Sequence, residues 1–321
     1  MITVKQVFDL SLKMGMAADP RGLQAIKKHF NRVKHQYNDL PAAEKEYFDI
    51  NRLTNPYLDS SVLIDDGTTK VKRVLAGIDI GAGEILLASQ LNERGKKIDV
   101  VIGHHPLGKN LAYLDEAMEL QAEVHESHGV PIHLAEKILE ERVNEVGRGI
   151  HPMNHYQVVN IAELLHINLM NTHTTTDNLV DQFMYNFLKK RAPETVGDLM
   201  KALMEIPEYQ QAKRLGTGPK IFAGNPKHRI GKFLLEMTGG TNPSSKVYEQ
   251  YSRAGISTIV GMHIREQSME AVNTHQLNVI IAGHISSDSL GMNLFLDELE
   301  KRGIEVVPCG GLIRVSRVKK K

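Results

Sequence analysis

The chain has 321 residues, is 41% hydrophobic and 5% aromatic with no Trp, and carries a formal net charge of +1. That length fits one large domain or two modest ones with a core of Ile, Leu, Val, Met and Ala, and the near-even charge removes any electrostatic case for nucleic acid or a membrane surface. The single Cys309 excludes an internal disulfide and a zinc site built on several thiolates, and no stretch approaches the roughly 18 apolar residues of a membrane span, so a soluble, cytoplasmic protein is expected.

Residues 1–50 predict helices, with Val4, Val7, Phe8 and 10–14 as one apolar stripe and Leu23, Ile26, Phe30 and Val33 as a second, punctuated at Pro20 and Pro41. They read as packing on the outside of a first lobe. After a connector at 51–70, residues 71–80 predict a strand, Gly81-Ala82-Gly83 a tight turn, 84–94 a helix and the Val100 run a second strand, which together make a βαβ unit. A dinucleotide-binding reading of Gly81-x-Gly83 fails, because Leu86 stands where the third small residue belongs.

The run from Asp99 to Pro106 is the point around which the rest is organised. Val100, Val101 and Ile102 form a buried β-branched run that ends in Gly103-His104-His105, and Pro106 stops the ladder there. Such an edge is where open α/β sheets place ligands. With 15 His in the chain about one adjacent pair is expected by chance, so position and recurrence carry the signal.

A helical insertion is predicted over 114–145, followed by His151 and His155, whose default is a surface or satisfied-core role. A short strand at 167–170 then runs into Thr172-His173-Thr174-Thr175-Thr176-Asp177-Asn178, and a helix is predicted over 178–189. Pro193, Pro207 and Gly216-Thr217-Gly218-Pro219 mark a seam, which gives a first α/β lobe over 1–195 and a second over 216–318. In the second, strands are predicted at 220–224, 233–237 and 256–260, and the loop 238–245 opens a helix in a form open to a phosphate cradle or a bare turn. The run Asn278-Val-Ile-Ile-Ala-Gly-His284 repeats the strand-Gly-His pattern, with Asp288 four residues on. Positions i and i+4 share a helix face, so His284 and Asp288 reach one ion if the helix begins at His284. A helix at 293–302 and a strand at 305–307 follow. Cys309 then reads as a buried structural thiol, and the basic tail Arg314, Arg317 and Lys319 to Lys321 as a solvated, frayed terminus.

Any one of these His and Asp clusters is equally well a strand cap or a helix start; three at strand ends predict a metal site. Neutral imidazoles offer lone pairs, and an ionised Asp bridges two cations through its two oxygens. The set leaves coordination positions for water or substrate, which describes a catalytic site with hydrolysis as its natural chemistry. Ligands without sulfur suit Zn, Mn, Fe, Co or Ni.

The segments Gly103-His104-His105-Pro106-Leu107, His173-Thr174-x-x-Asp177 and Gly283-His284-x-x-x-Asp288 resemble, in order, the three motifs of the Nif-three-like dinuclear metal proteins, also known as type-two GTP cyclohydrolase homologues. The resemblance runs from about Val71 to the C-terminus. It implies two related α/β lobes around a cleft holding a dinuclear metal site, here with an N-terminal helical extension. It implies His104, His105, Asp177, His284 and Asp288 as ligands to two divalent ions per chain, Zn, Mn or Fe, with His173 beside them either supporting the ligands or acting as a catalytic, proton-transfer group. It also implies a ring-shaped homohexamer whose metal sites face an internal cavity. Two departures stand out. Asp288 replaces the usual Glu and is one methylene shorter, and the stretch from Pro106 to His173 is longer than in compact members, which brings His151 and His155 forward as cavity-lining residues. The expected function is a metal-dependent hydrolase of a nucleotide or other phosphorylated small molecule, with GTP ring opening as the family label; the rival is a non-enzymatic metal-binding or regulatory protein acting through a protein partner.

Overall fold

The computed structural model describes residues 1–319 and has a mixed α/β fold built on two principal sheets. The first has the strand order β11 (Glu305–Cys309), β4 (Arg73–Gly77), β5 (Val100–Gly103), β6 (Leu169–Asn171), β2 (Val62–Ile64). Its first four strands are parallel, and β2 pairs antiparallel at the edge. The second has the order β7 (Lys220–Ala223), β10 (Asn278–Ile281), β9 (Ile256–Gly261), β8 (Lys232–Glu236), again parallel except for the edge strand β7. A two-residue β1 (Ile2–Thr3) pairs with β3 (Lys70–Val71), so the strand predicted at 71–80 is divided between β3 and β4.

Side chains of the first sheet alternate between two cores, as the pleat requires. Val74, Ala76, Val100 and Ile102 meet Val4, Val7 and Phe8 of the Val4–Ala18 helix and Phe295, Leu296 and Leu299 of the His284–Lys301 helix. Leu75 and Val101 meet Ile85, Ala88, Val159 and Ala162 on the other face. In the second sheet Leu235, Val260 and Ile280 pack on Val180, Met184 and Leu188 of the His173–Arg191 helix, while Leu234, Ile259 and Val279 pack on Met118, Ala135, Ile138 and Tyr251. At about 1.5–3 kcal/mol for each fully buried aliphatic side chain, these four faces supply most of the drive to fold.

This packing crosses the seam predicted near 195–216. The helix that follows β6 covers the second sheet, the helix that follows β10 covers the first, and the 114–150 insertion also packs on the second sheet. The final strand β11, placed by sequence in the second half, pairs with β4 in the first sheet. The two central helices approach closely where Gly291 faces the Thr176 carbonyl; a Cβ at 291 would stand 2.3 Å from that oxygen, so only glycine fits.

The basic tail departs from the frayed end predicted for it. Arg314 pairs with Asp297 (2.6 Å) and Glu300 (2.9 Å), and Arg317 makes a two-pronged contact with the fully buried Glu208 (2.7 and 2.8 Å). The partners lie on other elements, so charge counting along the tail does not show them. Lys320 and Lys321 lie outside the described residues. Cys309, expected to be buried, is half-buried at the end of β11, where burial pushes its thiol up to about 12 and makes it a poor nucleophile.

Candidate metal centre

Beyond β5 the ladder continues for two more residues: His104 N donates to Gly77 O (3.0 Å) and His105 N to Ile78 O (3.1 Å). Pro106 then ends it for want of an N–H. Asn171, the last residue of β6, donates from Nδ2 to His105 O (2.7 Å) and accepts from Leu107 N (3.1 Å), which fixes the turn. The twin imidazoles are thus held at the C-terminal edge of the first sheet. Next to them Thr172 leads from β6 into a helix that begins at His173, five residues earlier than the 178–189 prediction. The threonines of this polar cluster are buried and bonded: Thr175 accepts from Ser11 Oγ (2.8 Å), Thr174 Oγ1 donates to Asp59 (2.6 Å), and Thr176 Oγ1 donates to Thr172 O. At the end of β10, Gly283 (φ 111°) makes the turn into a helix that begins at His284. That start meets the condition for His284 and Asp288 to share a face.

The three clusters converge on Asp288. Its Oδ1 lies 3.6 Å from His104 Nε2, and its Oδ2 lies 3.4 Å from both His105 Nε2 and His284 Nε2. Asp177 Oδ1 is 3.4 Å from His104 Nε2, and Asp177 Oδ2 is 4.0 Å from His173 Nε2. The same side chains form three overlapping groups with ligand spacing: His104, His105 and His173; His105, His284 and Asp288; His104, Asp177 and Asp288.

The orientation of the imidazoles is that of metal ligands, whose second nitrogen is ordinarily tied to an acceptor. His105 Nδ1 bonds Asp79 (2.7 Å), His173 Nδ1 bonds the fully buried Asp59 (2.8 Å), and His104 Nδ1 bonds Thr176 Oγ1 (3.0 Å). Since the Thr176 hydroxyl gives its own proton to Thr172 O, it accepts from His104. Each of the three rings therefore presents an Nε2 lone pair to the carboxylates.

Four buried atoms of this cluster, His104 Nε2, Asp177 Oδ1 and both oxygens of Asp288, have no hydrogen-bond partner among the described residues. Groups buried in this way are costly unless something fills the gap between them. Burial, then the charges of Asp288 and Asp59, raises the Asp177 carboxyl well above the usual range. Burial alone would also raise Asp288, but the His104, His105 and His284 imidazoles outweigh it and hold that carboxyl well below the usual range. Burial opposes a charge on His105, yet Asp288 and Asp79 outweigh it and lift it to about 9. The donor set fits divalent cations.

A cavity of about 60 Å³ leads away from the cluster, lined by His173, Asp177, His284 and Asp288 at one end and by His263, Gln121, Glu236 and residues 240–243 further along. His151 is exposed and His155 bonds Ile150 O, so neither lines it; His263 does, with its ring 4.6 Å from that of His284 and its Nδ1 on Asn242 Oδ1 (2.7 Å). The helix after loop 238–245 is only seven residues long, and the loop's carbonyls are taken by Gln121 and Arg142, so it serves as a wall of the cavity.

Glu236, at the end of β8, is raised to about 7 by burial, against the hydrogen bond from Tyr248 Oη to its Oε2 (3.1 Å). An acid raised on folding binds its proton longer in the native state, so Glu236 lowers stability as pH climbs from its ordinary 4.5 through 7, by on the order of 3 kcal/mol. Denaturation midpoints of wild type and Glu236→Gln are expected to converge near pH 5 and to separate by pH 8 in favour of the variant; a difference that does not change with pH would refute the assignment.

No protein-family profile matches the chain, and no curated protein sequence does. Among solved structures it is similar to a NIF3 superfamily protein from Sphaerobacter thermophilus, with 27% identity, a TM-score of 0.73, and coverage of 97% of this chain and 99% of that one. It also shares the fold of reduced HcgD from Methanocaldococcus jannaschii (12% identity, TM-score 0.51, covering 87% of this chain and 96% of that one). A mixed α/β chain with a His and Asp cluster at its sheet edges defines a class of metal-binding α/β proteins. Within that class the chain belongs to the NIF3 structural superfamily.

Proposed function

We propose that the chain is a dinuclear metal-dependent hydrolase acting on a nucleotide or another phosphorylated small molecule. The observation that carries this reading is the position of Asp288, whose two oxygens face separate imidazole sets while neither has a hydrogen-bond partner. His104 and Asp177 would hold one divalent ion with Oδ1 of Asp288, and His105 and His284 a second with Oδ2. When bound, such a pair of Zn, Mn or Fe ions supplies Lewis acidity and activates water for hydrolysis. The protein's own contribution is orientation and proton handling. Asp79, Asp59 and Thr176 fix the imidazoles, and His173, braced by Asp59 and 4.0 Å from Asp177, is placed to hold or pass a proton.

The family resemblance further supports a ring-shaped homohexamer with these sites facing an internal cavity, and GTP ring opening as one member of the substrate panel. No helix among the described residues is long and apolar enough to cross a membrane. Turnover of nucleotides and phosphoesters by Zn-, Mn- or Fe-loaded protein tests the function. Activity that falls by roughly a hundredfold or more in both His105→Ala and Asp177→Ala is expected, in line with loss of about 3 kcal/mol of barrier lowering. No turnover with any ion, or activity indifferent to both changes, would overturn the reading.

A further inference from the structure

The cavity that leaves the Asp288 cluster has a second polar end that the metal chemistry does not use. Glu236 and Gln121 both line it, and Oε1 of each is buried without a hydrogen-bond partner among the described residues. The Gln121 amide is fixed: its Nε2 donates to Gly239 O (2.5 Å) and Thr241 O (2.7 Å), so the oxygen is the end left over. Glu236 is similarly tethered, through Tyr248 on its Oε2. Its place at the end of β8 sets it on the same sheet edge that carries His284 at the end of β10. The remaining walls include Leu235, Met237, Met262 and the ring of Tyr251.

A buried acceptor left open in the free protein costs stability and is matched when a ligand brings a donor. No Lys or Arg lines this cavity among the described residues. With no cation at this end to offset the charge of a phosphate, an anionic group does not enter here.

We propose that this cavity is a recognition pocket for a neutral, planar ligand group rich in N–H donors, a cyclic amide or amino heterocycle, with Glu236 and Gln121 as its acceptors. The assignment rests on the reading of the Asp288 cluster as the reacting centre, which then lies at the other end of the bound group. It makes Glu236 and Gln121 specificity determinants, and any phosphate of the substrate lies outside the pocket.

The test uses the zinc-loaded full chain and reads binding, not turnover. Isocytosine presents a ring N–H beside an exocyclic amino group; its fully N-methylated counterpart presents neither. By ligand-observed NMR, isocytosine is expected to bind at least tenfold more tightly than the methylated compound. Glu236→Gln is expected to erase most of that preference while zinc content stays at the wild-type value. Equal binding of the two compounds, no binding of either, or a preference unchanged in Glu236→Gln with zinc retained would overturn the proposal. If Glu236→Gln loses its zinc or its fold, the comparison of the two compounds on wild type decides the matter. Binding with the expected preference but without turnover of any substrate would instead count against the hydrolase reading alone.

Discussion

Asp288→Asn is expected to empty both cation positions at once and to lower turnover by roughly a thousandfold or more, a loss of about 4 kcal/mol of barrier lowering. The change is nearly isosteric, so the His284–Lys301 helix keeps its packing, but the amide has one oxygen where the carboxylate has two. That carboxylate is the only group facing both imidazole sets among the described residues, through Oδ1 toward His104 and Oδ2 toward His105 and His284. His284→Ala is the informative contrast, since it strips a ligand from the Oδ2 side alone and is expected to leave close to one ion per chain. Asp288→Glu restores a bridging carboxylate one methylene longer and is expected to retain metal. Elemental analysis of the three variants beside their turnover checks the series. Equal metal content in Asp288→Asn and wild type would contradict the bridging role.

Removal of the cations with a chelator is expected to lower Tm by about 10 °C. Each ion present at a hundredfold over its Kd adds roughly 2.7 kcal/mol to the folded state, and a chain of this size shifts by about 2 °C for each kcal/mol. The physical source is visible in the cluster itself: without cations, His104 Nε2, Asp177 Oδ1 and both Asp288 oxygens are buried with nothing to bond. Thermal denaturation with and without chelator, followed by restoration with Zn, measures the effect. In Asp288→Asn, which has no cation to lose, the chelator should shift Tm by less than about 2 °C. An unchanged wild-type Tm would mean that the cluster is stable empty.

The site was legible in the sequence wherever its signal was local. Val100 to His105 and Asn278 to His284 each carry a buried strand, a glycine and a histidine of the cluster within a few residues, and the i,i+4 pair His284 and Asp288 needed only a helix start to be placed. Asp59 gave no such signal, because its partner His173 lies 114 residues away on another element. Asp79 was hidden inside what read as a continuous strand; in the structure β4 ends at Gly77, and that leaves Asp79 at the same sheet edge as His105. His263 was the one missed residue with a readable pattern, since Ile259-Val260-Gly261-Met262-His263 also runs from a buried strand through glycine to histidine. The mixed α/β character was visible as alternating strand and helix periods, and with it most strands of the two sheets. Their exchange of central helices was not, since it depends on long-range packing at contacts such as Gly291 on Thr176.

Anomalous diffraction from crystals of the Zn-loaded protein, collected on either side of the metal absorption edge, tests the central claim most directly. Two peaks per chain are expected, one on each side of the Asp288 carboxylate, the first against His104 and Asp177 and the second against His105 and His284. A single peak, or none within reach of Asp288, would contradict a dinuclear centre at the meeting point of the two sheets.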